Sequence, residues 1–333
     1  MNFINQFDIQ EYFSLAQSDF HSLALNVFRF QASHNPVYRQ FLQQINCTPA
    51  AIENIHDIPF LPISLFKTQK ILTYYQQAET IFTSSGTAQQ NAFSQHHVAR
   101  MEMYEQSFRQ TFSLFYDTPE NYHILALLPA YLEREGSSLV YMADALIRQS
   151  KGAYSGFYLY DYESLAEKII KAEVSGQKTL LIGVSFALLD FVEKYPHFPL
   201  KNTIIMETGG MKGKRPELTR PELHGILSAA FAVEKIHSEY GMTELLSQAY
   251  SQGEGIFACP PWMRVLCGDA YDPRAWVASG QNGVLRIIDL ANLYSCSFIA
   301  TQDVGKVFPD GTFEILGRTD NSDLRGCNLL VEA

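Results

Sequence analysis

Five short stretches carry residue types that can do chemistry, and each contains a glycine. After the apolar pair Ile81-Phe82 come Thr83, Ser84, Ser85, Gly86 and Thr87. Small residues let backbone N–H groups and hydroxyls converge on phosphate oxygens; the same composition also makes a surface turn. No Lys-Ser or Lys-Thr follows the glycine, so this is not the GxxxxGK[ST] loop. In "METGGMKGK", Gly209 and Gly210 follow an apolar run. They suit either a tight turn or close backbone approach to a flat ring or a phosphate. Lys212 and Lys214 beside them either attract an anion or are simply solvated. In "YGMTE", Tyr240 and Gly241 precede Thr243 and Glu244. Tyr240 can stack on a base. Thr243 can hydrogen-bond a phosphate or cap a helix. Glu244 can bind Mg²⁺, which takes one or two carboxylates together with phosphate oxygens. In "TQDVG", Asp303 either binds two ribose hydroxyls from a strand end or belongs to a plain turn. In "LGRTDNSDLRGCNLL", Arg318 and Arg325 flank Cys327, with Asp320 and Asp323 between. Cations favour the thiolate, the nucleophilic form, and the acids oppose it. The other reading of Cys327 is a small apolar residue. A rival signal is "GVSFA", residues 183–187, one glycine short of the hydrolase elbow, with Asp190 and His197, His224 or His237 as candidate partners for Ser185.

Positioning these residues requires a layered scaffold. Phe13, Leu15, Phe20, Leu23, Val27 and Phe28 recur at helical spacing, which predicts several helices over residues 8–45. "HDIPFLPISLFKTQKILTYY", broken by Pro59 and Pro62, reads as an extended connector. "HILALLP" then "SSLVYMADALIRQ", and "KTLLIGVSFALLDFVEKY", each read as strand then helix. "KNTIIMETGG" is a strand entering a glycine turn, and "EKIHSEYGMTELLSQAY" reads as strand, turn and helix. This alternation predicts an α/β fold with a largely parallel sheet. From about residue 255, "WMRVLCGD", "GVLRIIDLA", "SCSFIATQDVGKVF" and "TFEILGR" predict short antiparallel strands. The expected organisation is a helical segment over 1–55, an α/β nucleotide-binding body over 56–254, a β-rich lobe over 255–318 and a mobile tail over 319–333.

Composition narrows the function. The 333 residues are 47% hydrophobic, enough for a sizeable core. Formal net charge is −10 and no block of Lys and Arg stands out, which argues against nucleic acid. No apolar run is long enough for a membrane-spanning helix. The N-terminus lacks the pattern of a secretory signal. Five scattered cysteines without a CxxC pair argue against zinc and disulfides and fit a cytoplasmic protein.

In their order along the chain, the five motifs resemble the adenylate-forming superfamily. The closer resemblance is to the LuxE-type acyl-protein synthetases, carried by "IPFLPISLFK", "FTSSGTA", "LPAYLEREGSSLVYMADALI", "ETGGMKGKRPELTRPELH", "YGMTELLSQAY", "FIATQDVG" and "LGRTDNSDLRGCNLL". It spans residues from about 55 to the end, with little of it in the first 50. The resemblance implies the large-domain fold of adenylate-forming enzymes and two half-reactions. A carboxylate, usually of a fatty acid, attacks the α-phosphate of ATP in the presence of Mg²⁺; the acyl group then passes to a cysteine near the C-terminus. Cys327 matches that cysteine. A partner reductase then receives the acyl group. It further implies that Thr83, Ser84, Ser85, Gly86 and Thr87 hold the phosphates. Gly209 and Gly210 border the adenine, and Tyr240, with Gly241, stacks on it. Thr243 contacts the α-phosphate, Glu244 binds Mg²⁺, and Asp303, helped by Arg318, binds the ribose. The phosphate loop departs from the superfamily pattern at Ala88-Gln89-Gln90-Asn91, where a glycine and a lysine are missing. The short form, without a further C-terminal lobe, is expected of the LuxE type. A ligase loading CoA or a carrier protein and a non-catalytic nucleotide-binding subunit are the alternatives.

Overall fold

The computed structural model describes residues 8–75, 77–84, 93–128, 136–211, 215–272 and 274–319. Three helices open it: α1 (Ile9–Ser18), α2 (Phe20–His34) and α3 (Pro36–Gln44). The side chains of Asp8, Asp19 and Asn35 cap their first turns. Phe13, Phe20, Leu23, Val27 and Phe28 are buried as the spacing predicts, whereas Leu15 is exposed. The expected extended connector is instead compact. It makes two short 3-10 turns, Ile55–Asp57 and Ile63–Lys67, with β1 (Leu61–Pro62) between them. That strand adds in parallel to β13 (Phe298–Val307) of the second sheet, so Pro62 is held in a sheet rather than in a free connector.

A two-stranded ribbon follows, β2 (Thr80–Thr83) against β3 (Gln95–Val98), and then α4 (Met101–Tyr116). The parallel sheet comes next in the chain: β4 (Tyr122–Leu127), α5 (Ser138–Gln149), β5 (Gly156–Phe157), α6 (Tyr162–Ser175), β6 (Lys178–Val184), α7 (Ser185–Lys194), β7 (Thr203–Thr208), α8 (Arg220–Phe231) and β8 (His237–Tyr240). Its order is β5-β4-β6-β7-β8, with β9 (Ala249–Ser251) closing antiparallel on β8. Every residue of β4 is buried, as continuous apolar runs require when helices cover both faces. The segment read as a helix after "YGMTE" is not one: residues 241–248 form an irregular turn between β8 and β9.

The second sheet, order β10-β14-β13-β12-β11, is built from β10 (Ile256–Phe257), β11 (Met263–Gly268), β12 (Gly283–Asp289), β13 (Phe298–Val307) and β14 (Phe313–Arg318). These four long strands pair antiparallel, as their short alternating segments and turn residues predict. The N-terminal helices pack on its β12–β13 connection. There the Tyr12 hydroxyl donates to the Leu290 carbonyl at 2.8 Å, and Phe13 meets Trp262 edge-on at 4.7 Å.

Candidate functional site

Parallel strands β7 and β8 end side by side, in the register Thr208↔Glu239. One residue further on, Gly209 leaves β7 next to Tyr240. Gly209 has φ +66°, a left-handed conformation that glycine adopts without strain. Its carbonyl accepts from the Ser185 hydroxyl at 2.7 Å. That bond leaves Ser185 in no hydrolase arrangement. Asp190 is held by Arg215 and Tyr162, His224 lies by Glu207 and Ser238, and His237 pairs with Tyr116.

Tyr240 and Asp303, from different sheets, are in direct contact: the phenol donates to Asp303 Oδ2 at 2.6 Å. Burial, with the Asp303 charge adding to it, pushes the Tyr240 phenol well above its ordinary range, so it stays a neutral donor. On the other side Arg318 Nε lies 3.3 Å from Asp303 Oδ1. That pairing follows from register, because Asp303 and Arg318 are cross-strand partners of β13 and β14. Phe313 and Phe257 meet the Tyr240 ring edge-on at 5.6 and 6.0 Å.

Gly241 lies close over Glu239. A Cβ there would come within 2.5 Å of Glu239 Oε1. Glu239 is itself buried, with its carboxyl accepting from Thr208 Oγ1 at 2.5 Å. Burial foremost, and the Glu207 charge, push its pKa up to about 7 against that hydrogen bond. Glu207 nearby is buried too, and it pairs with Arg220 Nε at 3.2 Å. Arg220 also donates to the Ile315 carbonyl of β14 at 3.0 Å, tying the two sheets together behind the site.

Thr243 is half-buried, and its carbonyl accepts from His96 Nδ1–H at 2.8 Å. Glu244 is 6% exposed. Burial raises its carboxyl pKa, and a hydrogen bond with Ser94 and the Arg318 charge oppose this while Asp303 adds to it. Glu244, Asp303 and Arg318 therefore share one electrostatic neighbourhood beside the β2–β3 ribbon. The ribbon's stem closes with the Ser84 N–H on the Ser94 carbonyl at 3.0 Å and the Ser94 N–H on Ser84 Oγ at 2.9 Å. Thr83 and Ser84 stand in this stem; Ser85, Gly86 and Thr87, like Lys212, Lys214 and Cys327, lie outside the described residues. A cleft of about 310 Å³ between α4 and α5, lined by Glu105, Arg109, Tyr141 and Arg148 among others, shares no residue with this convergence.

His96, Asp289 and Asn292, which brace the 243–248 turn, were not legible as site residues. A weak signal did exist for Asp289: "DLAN" has the form of a capping aspartate, and its side chain does cap the 3-10 turn Leu290–Asn292.

A model of the LuxE acyl-protein synthetase family matches residues 13–111. That match includes the N-terminal helices, where the sequence alone suggested little resemblance. The long-chain-fatty-acid–luciferin-component ligase of Vibrio harveyi is 24% identical over 329 residues, covering 92% of this chain and 85% of the relative. The ligase of the same name from Aliivibrio fischeri is 23% identical over 92% of this chain and 86% of its own length. Among solved structures, ATP-bound MatB from Rhodopseudomonas palustris superposes with TM-score 0.52 at 16% identity, over 72% of this chain and 47% of that one. An open 2-hydroxyisobutyryl-CoA ligase with 2-HIB-AMP and CoA superposes with TM-score 0.59 at 12% identity, over 90% and 69%. The chain thus spans about half the length of the MatB structure. The fold is that of the adenylate-forming ligases. Within that class the chain is similar to the LuxE-type acyl-protein synthetases, by the family model over residues 13–111 and by the two ligases. No helix among the described residues is long and apolar enough to cross a membrane.

Proposed function

We propose that this protein activates a carboxylic acid, a long-chain fatty acid, with ATP and then carries the acyl group on Cys327. The observation that carries this reading is the convergence of Tyr240, Asp303, Arg318 and Glu244, from two sheets, beside the stem of the hydroxyl-rich ribbon. Attack of the carboxylate on the α-phosphate forms the acyl–phosphate bond and releases pyrophosphate. Charge builds on the phosphate oxygens in that step, and fixed donors aimed there lower the barrier. Thr243 and the Thr83–Thr87 loop are the donors assigned to this role. Asp303 binds the ribose, giving up its bond to Tyr240 as Tyr240 and the Gly209–Gly210 turn enclose the base. Glu244 offers hard oxygen ligands next to the phosphates, which fits Mg²⁺; that ion neutralises phosphate charge when bound. In the second step a thiolate attacks the acyl carbon and AMP leaves.

Cysteine chemistry supports Cys327 as the acceptor. Burial pushes the Cys259 and Cys296 thiols up to about 12 and Cys267 up to about 11, and it raises Cys47 as well. A thiol held protonated is a poor nucleophile. The names of the Vibrio harveyi and Aliivibrio fischeri relatives support a long-chain fatty acid as substrate. Delivery from Cys327 to a reductase is the step that gives such a thioester a use.

The test is carboxylate-dependent ATP–pyrophosphate exchange together with radiolabelled-acid attachment. Cys327→Ser is expected to retain exchange and lose hydroxylamine-labile label. Label that persists in Cys327→Ser and is still released by hydroxylamine would move the acceptor elsewhere.

A further inference from the structure

The turn that carries Thr243 and Glu244 has neither a strand ladder nor a helix of its own over residues 241–248. Its backbone groups are satisfied by buried side chains from distant elements. His96 Nδ1–H donates to the Thr243 carbonyl at 2.8 Å, and Asn292 Nδ2–H donates to the Glu244 carbonyl at 2.9 Å. Asp289 Oδ2 accepts from the Leu246 and Ser247 N–H groups at 2.8 and 3.1 Å, and Oδ1 accepts from the Ser247 hydroxyl at 2.6 Å. His96, Asp289 and Asn292 are all fully buried. The connection bearing Asn292 is held in turn by α2: Gln31 Nε2 donates to the Asn292 and Leu293 carbonyls at 2.9 and 3.0 Å, and Gln31 Oε1 accepts from the Ser297 N–H at 2.9 Å.

We infer that Asn292, seated by Gln31 and assisted by Asp289 and His96, is a positioning residue that fixes where the Glu244 carboxylate stands. This rests on the reading that Glu244 faces magnesium and the nucleotide. Glu244's carboxyl hydrogen-bonds Ser94 and its own backbone N–H, so its place is inherited from the backbone beneath it. A ladder or helix would not serve there, because regular structure would turn consecutive side chains to different faces or directions. Side-chain anchors hold the backbone in an irregular path that lets Thr243 and Glu244 act together.

The experiment uses the full chain, with Asn292→Ala and, as a more distant perturbation, Gln31→Met. Two measurements are made: magnesium titration of carboxylate-dependent pyrophosphate exchange, and amide hydrogen exchange of residues 245–248. Losing one hydrogen bond under Glu244 is expected to raise the half-saturating magnesium concentration about tenfold in Asn292→Ala. The rate at saturating magnesium should fall less than about threefold, a split that a general loss of folding would not give. Amides 245–248 should exchange faster while those of β4 and β6 do not. Gln31→Met should act in the same direction and more weakly, and the double variant should be no worse than Asn292→Ala. Unchanged magnesium dependence with unchanged protection of 245–248 in folded Asn292→Ala overturns the inference. So does a rate loss with no change in half-saturation. If the wild type itself shows no exchange reaction, it is the proposed function that fails. Amide protection alone then decides the brace: protection lost in Asn292→Ala supports it, and protection kept overturns it.

Discussion

Two turns leave neighbouring parallel strands at the same edge of the sheet, and they are held by opposite means. The Gly209–Gly210 turn is exposed. One serine hydroxyl anchors it, and just downstream Arg215 pairs with Asp190 and Glu193 at the surface. The 241–248 turn is held by buried side chains, above all by Asp289, which collects five donors from Leu246, Ser247, Ala291 and Asn292. Surface ion pairs gain little because water and entropy compete with them. A buried carboxylate is costly to desolvate but grips tightly once every lone pair is met. The turn proposed for the phosphates is thus braced by several buried side chains, and the turn proposed for the base by one serine hydroxyl.

The comparison breaks most directly at Asp289. Burial raises its carboxyl to about 6 despite its hydrogen bonds, so its charge costs roughly 3 kcal/mol relative to water. The hydrogen bonds reduce the cost of burying that charge without cancelling it, and each donor would be left unpaired if its acceptor were lost. Asp289→Asn keeps the shape but sets an NH₂ group against at least one donor. Urea unfolding should show a loss on the order of 3–5 kcal/mol. A loss below about 1 kcal/mol would mean that the buried network does not hold the turn.

Glu239, under Gly241, gives a smaller effect of known sign. Its carboxyl is raised from 4.5 to about 7. The folded state therefore binds a proton that the unfolded state has released. That stability is fully present below about pH 4.5 and is lost as pH rises through about 7. Glu239→Gln mimics the protonated form. The variant should match the wild type near pH 4.5 and exceed it by up to about 3 kcal/mol at pH 8. The difference between the two unfolding curves isolates Glu239 from other titrating groups. Parallel curves across that window would show that the site is not a buried, proton-holding carboxyl.

At the small end stands Arg215→Ala, which removes the surface pairs next to the glycine turn. Its cost should stay below about 1 kcal/mol and shrink further in high salt. A cost as large as that of Asp289→Asn would erase the contrast between the turns.

Local pattern was a faithful guide wherever it encodes backbone conformation. The runs "HILALLP" and "KTLLIGV" gave buried parallel strands because helices on both faces favour a mostly apolar run. Gly209, the glycine that ends "METG", marked a real left-handed turn. The pattern failed at "TELLSQAY". Its helical look is local propensity, and tertiary contacts with Asp289 and Asn292 overrode it. "HDIPFLPISLFKTQKILTYY" misled similarly, since the parallel pairing of Leu61 with Ile299 is invisible from the segment alone.

What the sequence alone determined, then, is the set of strands, the glycine turns at their ends and the residue types those turns offer. Tertiary structure decided which of those residues meet. The register of β13 on β14 brought Arg318 to Asp303, and the packing of two sheets brought Tyr240 to the same carboxylate. It also chose the supports: His96 reaches Thr243 across 147 residues, and Asp289 reaches Leu246 across 43. Periodicity and φ preference act over a few neighbours along the chain. A hydrogen bond across such separations exists only after burial has fixed where each strand lies.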